Sequence, residues 1–115
     1  MTTSQTNPLD ELSFRRLFPL IFVIVFLLHA PLLRLPFFWD EAGFYVPAAY
    51  DLAHSHSLIA KTTLDTGHPP LSAAYLAFWF TVSGWKPAVA RVAMLLIAAF
   101  ALTNVFLLAR RLVGS

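Results

Sequence analysis

Residues 39–71, WDEAGFYVPAAYDLAHSHSLIAKTTLDTGHPPL, form the only long polar interval between hydrophobic runs in this chain. The interval opens with the acidic pair Asp40-Glu41 and closes with His68-Pro69-Pro70. The apolar runs on either side are of a length that crosses a bilayer, so the interval reads as a loop held between membrane segments. Composition points the same way. With 58% hydrophobic and 12% charged residues, there are too few charges to cover a soluble globule of this size. The expected class is an all-α integral membrane protein.

A net charge of +2 and a pI near 9.4 would suit a nucleic-acid binder only if the cations clustered on one face. They sit singly or in pairs at the ends of apolar runs, which is the pattern of membrane orientation and excludes nucleic acid as the partner. The absence of cysteine removes disulfide scaffolds, thiolate zinc sites and thiol nucleophiles.

Working outward, residues 1–16 are polar, contain Asn7-Pro8 and end in Arg15-Arg16, and read as a cytoplasmic tail. Residues 17–33 carry roughly 17 uncharged positions, about 25 Å of helix, near the short limit for a crossing. A cleaved signal peptide competes for this run, but His29-Ala30-Pro31 is a poor small-x-small site and an uncleaved anchor is preferred. Residues 34–70 are the first external loop, with Phe37, Phe38 and Trp39 at the outer interface. A short surface helix is expected over Phe44 to His54, where Tyr45, Ala48, Ala49 and Leu52 recur at helical spacing.

A second run covers residues 71–85, and Gly84, Lys86 and Pro87 interrupt it. A short connection, 86–91, leads to a third run, 92–109, closed by Arg110-Arg111 within 110–115. About three transmembrane helices result. Three crossings from a cytoplasmic start put Arg110-Arg111 outside, against the positive-inside tendency; one interrupted crossing would return them to the cytoplasm. Three helices enclose little, so a complete active site is expected to need more helices than these.

Among residues that can carry chemistry, Asp40 and Glu41 come first. A carboxylate at the membrane boundary loses part of its solvation, which suits a general base for a hydroxyl or amine acceptor. Adjacent carboxylates also offer oxygen ligands to a divalent cation, although no cofactor is demanded by the sequence. The plainer reading is that Asp40 caps the surface helix and Glu41 complements its dipole. His68, stiffened by two prolines, is placed to contact a lipid-linked phosphate where the loop re-enters the membrane, or is an interfacial histidine before a helix that starts at proline. Lys61 is a further cation of the loop, expected to stay in water, and Arg91 is expected to anchor the third helix at the interface. His54 and His56, near Asp51 and Asp65, match no zinc spacing and read as solvated residues.

Four motifs in order, WDEAGFYVPAA at Trp39 to Ala49, GHPPL at Gly67 to Leu71, GWKPAVAR at Gly84 to Arg91 and LLARRLVG at Leu107 to Gly114, give the chain its resemblance. It resembles the N-terminal part of the GT-C membrane glycosyltransferases, in the dolichyl-phosphate-mannose protein mannosyltransferase-like group with its bacterial aminoarabinose transferase relatives. The resemblance implies inverting transfer of a sugar, mannose or similar, from a polyprenyl- or dolichyl-phosphate donor to a protein or glycolipid acceptor on the external face. It implies Asp40 as catalytic base, Glu41 as its neighbour in the acceptor or metal site, and His68 near the donor phosphate; Lys61 is a further candidate for donor-phosphate or substrate binding. Some relatives place an acidic metal ligand where this chain has Gly67, so no metal site is carried over. Family members are several times longer, which implies an N-terminal fragment of a larger helical bundle, multi-pass in a bacterial inner membrane. Two readings from other classes are a non-catalytic membrane subunit or scaffold whose external loop binds a partner, and half of a transporter, for which only His29 and Asn104 lie within the helices as polar candidates.

Overall fold

A computed structural model describes residues 12–63 and 69–114. Every described element is helical: α1 (Phe14–His29), which runs on as a 3₁₀ turn over Ala30–Arg34, a π turn at Glu41–Tyr45, α2 (Val46–Ser55), α3 (Leu71–Ser83) and α4 (Pro87–Val113). Two of them are long and apolar enough to cross a membrane, Phe14–Arg34 and Pro87–Val113. Only 6% and 22% of their most apolar windows are buried, which is not the burial of a soluble core helix. α3, with 13 residues, is about 20 Å long, less than a hydrocarbon layer of about 30 Å.

The helix boundaries differ from the apolar runs for identifiable reasons. α3 stops at Ser83 because Gly84 takes φ 94°, a conformation that costs any residue with a Cβ. The expected connection over 86–91 is instead the start of α4. Pro87 opens the helix, where its missing N–H is no loss and its fixed φ is already helical. Arg91 lies inside the helix because its charge finds partners, described below.

Contacts divide the chain into two units, Pro31–Ala93 and a second that joins α1 to the residues from Met94 onward. In the first, Ala49, Leu76, Ala77, Phe80, Ala90 and Ala93 form the core. α3 turns Ala73, Leu76, Ala77 and Phe80 inward, the one-sided spacing of a packed helix. Four alanines among the six core residues let backbones approach closely, and the Tyr75 hydroxyl donates to the Ala93 carbonyl at 2.6 Å. Phe80 is flanked by Phe37, edge-on at 6.1 Å, and by Trp85, stacked at 4.5 Å.

In the second unit, Leu17 of α1 and Leu95, Ala99 and Thr103 of α4 are buried. The three α4 positions recur every four residues and end in small side chains, a stripe that suits close helix packing. The Thr103 hydroxyl, fully buried, is satisfied by the Ala99 carbonyl at 2.6 Å, so the stripe leaves no unmet donor there. Phe14 meets Phe100 edge-on at 5.6 Å, and Arg110 donates to the Leu12 carbonyl at 3.0 Å. Phe14, Phe18, Phe22 and Phe26 line one face of α1 in successive ring contacts.

Candidate functional site

The site is assembled where the chain leaves the 3₁₀ turn and enters the π turn. Residues 36–38 have no regular structure, and Trp39 then takes φ 45°, a left-handed conformation that a non-glycine residue adopts at a cost. The reversal is secured by two backbone bonds, Glu41 N–H to the Phe38 carbonyl at 3.0 Å and Gly43 N–H to the Trp39 carbonyl at 2.8 Å. From Glu41 the backbone winds as a π turn, a rare geometry that recurs at functional positions.

The acidic pair is divided by its surroundings. Glu41 Oε2 accepts from Arg91 Nη2 at 3.1 Å and from the Phe38 amide at 3.3 Å. Arg91 also donates to three carbonyls of the chain leaving the 3₁₀ turn: Leu33 at 3.4 Å, Pro36 at 2.9 Å, and Leu35. Those carbonyls follow a helix end, where intrahelical donors have run out, and the fork of a guanidinium can serve several at once. The Arg91 side chain is 17% exposed, and it is the clasp that ties the start of α4 to the segment leading into the π turn. Asp40 is exposed, and its carboxylate accepts no hydrogen bond among the described residues.

A second carboxylate organises the loop from below. Asp51 on α2 is 5% exposed, and its Oδ2 accepts from the Lys61 amide at 2.6 Å, the Thr62 amide at 2.9 Å and the Thr62 hydroxyl at 3.0 Å. These bonds, the Thr62 amide foremost, hold its pKa below the ordinary aspartate value despite the opposing effect of burial. The Thr63 hydroxyl donates to the Gly43 carbonyl, stitching the same segment to the π turn. Lys61 thus enters the site through its backbone, and its side chain is exposed in water as expected.

Of the remaining residues singled out in the sequence, His68 and Asp65 lie outside the described residues. His54 is exposed, with Nδ1 3.0 Å from the Tyr50 carbonyl and its ring stacked on Tyr50 at 3.9 Å. His56 ends α2 in a left-handed conformation, φ 53°. No three His, Cys, Asp or Glu side chains converge among the described residues. Arg91 occupies Glu41 Oε2.

Sequence reasoning missed Asp51 as the residue that shapes the loop. A signal was present: Asp51 lies among the apolar stripe positions Ala48, Ala49 and Leu52, where a carboxylate needs donors, but nothing in the spacing singles out Lys61 and Thr62 as the residues that supply them. Compared with known protein families, curated proteins and solved structures, the chain matches none.

Proposed function

We propose that this chain supplies the first external loop of a membrane glycosyltransferase, moving mannose or a similar sugar from a polyprenyl- or dolichyl-phosphate donor to a protein or lipid acceptor. The observation that supports this reading is the unequal treatment of the acidic pair. Arg91 and the Phe38 amide hold Glu41, and that braces the backbone of the residue before it while leaving the Asp40 carboxylate exposed. An exposed carboxylate on a braced turn is available to accept a proton, which is what a general base requires.

In the proposed reaction the acceptor hydroxyl gives its proton to Asp40 as its oxygen forms a bond to the anomeric carbon. The bond from that carbon to the phosphate oxygen breaks, the configuration inverts, and the lipid phosphate leaves with the electron pair. Lys61, by charge, and His68, by hydrogen bond or charge, are the side chains assigned to that phosphate. No step is routed through a metal. The two long helices and α3, as a short third crossing, hold the loop at the outer face of a bacterial inner membrane, with further helices completing the donor cavity.

The test supplies radiolabelled polyprenyl-phosphate mannose or aminoarabinose to membranes containing the gene product and follows label into protein and lipid. Replacing Asp40 with Asn lowers transfer by about 10²- to 10⁴-fold, the usual contribution of a positioned base. Normal turnover in that variant removes Asp40 as the base. If neither donor gives transfer while the loop still captures a partner, the scaffold reading takes its place.

A further inference from the structure

We propose that Trp39 and Asp40 together form a subsite that stacks a pyranose ring, Trp39 supplying the apolar platform and Asp40 the acceptor for the ring's hydroxyl groups. The inference rests on the glycosyltransferase reading for its choice of ligand. Its own support is the geometry of residues 38–41.

Trp39 is 79% exposed and holds φ 45°. A large side chain in the left-handed region is a backbone cost carried by a residue that contributes almost nothing to the core, and such costs collect at binding and catalytic positions. Phe38, 72% exposed, stands beside it with ring centroids 6.0 Å apart and planes tilted by 43°. The two rings are therefore not stacked face to face on each other, and the indole retains a face for a ligand. The chain before and after is fixed, by Arg91 at Leu35 and Pro36 and by the amide bonds at Glu41 and Gly43. An aromatic plane and a carboxylate one residue apart are thus displayed on a backbone that cannot easily rearrange.

A pyranose offers a face of C–H groups and a rim of hydroxyls. The first packs on an aromatic plane, and the second donates to an ionised carboxylate in charge-assisted bonds. Anchoring in the bilayer interface also uses tryptophan, but it needs neither a strained backbone nor a rigid neighbour. The polar carboxyl group one residue away would have to be desolvated on insertion into an apolar layer. The combination favours the sugar.

The probe is methyl α-D-mannopyranoside, added to the purified protein in a detergent without a sugar headgroup and followed by saturation-transfer difference NMR. Wild type saturates the ring C–H protons. Trp39→Leu and Trp39→Gly raise the dissociation constant about 2- to 12-fold, the range of one aromatic contact, while Trp39→Phe stays within about twofold of wild type. Trp39→Gly relieves the backbone and folds at least as well as wild type, so its loss of binding is not a loss of structure. Binding that is indifferent to Trp39→Leu overturns the subsite, even where sugar transfer by the same protein is normal. Trp39-dependent binding without any transfer keeps the subsite and removes the enzyme. Absence of saturation, with quenching of the Trp39 fluorescence by brominated lipid, identifies an interface anchor instead and overturns the proposal.

Discussion

The Pro31–Ala93 unit and the unit of α1 with the later part of α4 are both helical, yet they are held by different chemistry. In the first, two charged side chains, Arg91 and Asp51, each collect several donors or acceptors from distant backbone. In the second, the buried positions among the described residues are Leu17, Leu95, Ala99 and Thr103, and close packing is joined by a polar tie from Arg110 to Leu12. Apolar packing tolerates many sequences of similar volume. A hydrogen-bonded charge tolerates few, because removing one partner leaves the others buried and unmet. Specific geometry, and with it any specific chemistry, is therefore expected in the first unit.

The comparison breaks most clearly at Arg91. Arg91→Ala removes an ion pair and the donors to three carbonyls, and should cost about 2–3 kcal/mol, below the figure for a fully buried pair because both partners retain some solvent. The measurement is the thermal midpoint in detergent together with hydrogen exchange at the Phe38 and Glu41 amides, which should lose protection. Ala99→Leu, an overpacking change in the other unit, should cost about 1–3 kcal/mol and leave those two amides protected. If it exposes them equally, the units are not separately held. Gly84→Ala meets no atom within 4 Å of the added Cβ, so only the φ of 94° opposes it. A cost of about 1 kcal/mol, read from the same midpoint, follows.

The smallest effect is a local one at Asp51. Its pKa is lowered in the folded protein, so its bonds to the loop contribute stability above the ordinary aspartate value of 3.8 and lose it as pH falls through the folded value. Protection of the Lys61 and Thr62 amides, the intrinsic exchange rate divided by the observed one and measured by NMR from neutral pH downward, should hold until the pH passes below that ordinary value and then fall. Protection lost well above it would show that another group holds the loop.

Most of the helical architecture was legible from hydrophobic runs because burial in lipid or core is a property of whole segments. Phe14–Arg34 and Pro87–Val113 overlap the first and third runs, and a helix lies where one was expected from Phe44 to His54, in the π turn's end and α2. Boundaries were read less well where charge was involved. Lys86 and Arg91 look like interruptions when each charge is judged by its neighbours in sequence, but Arg91's partners lie 50 to 58 positions away. The same distance hid the division of labour between Asp40 and Glu41. Adjacent carboxylates look equivalent along the chain, and only a guanidinium arriving from another helix makes them different. Nor does any spacing rule announce the π turn at Glu41–Tyr45.

The Arg91 clasp also sets a clock. Glu41 is synthesised 50 residues before the residue that will hold it, and at ~5–20 residues per second that interval lasts about 3–10 seconds. For that time the acidic pair and the exposed Phe38 and Trp39 rings have no latch, longer by orders of magnitude than a helix needs to form. The emerging loop must wait for the first turn of α4, so the order of translation, rather than the speed of folding, decides when the site closes.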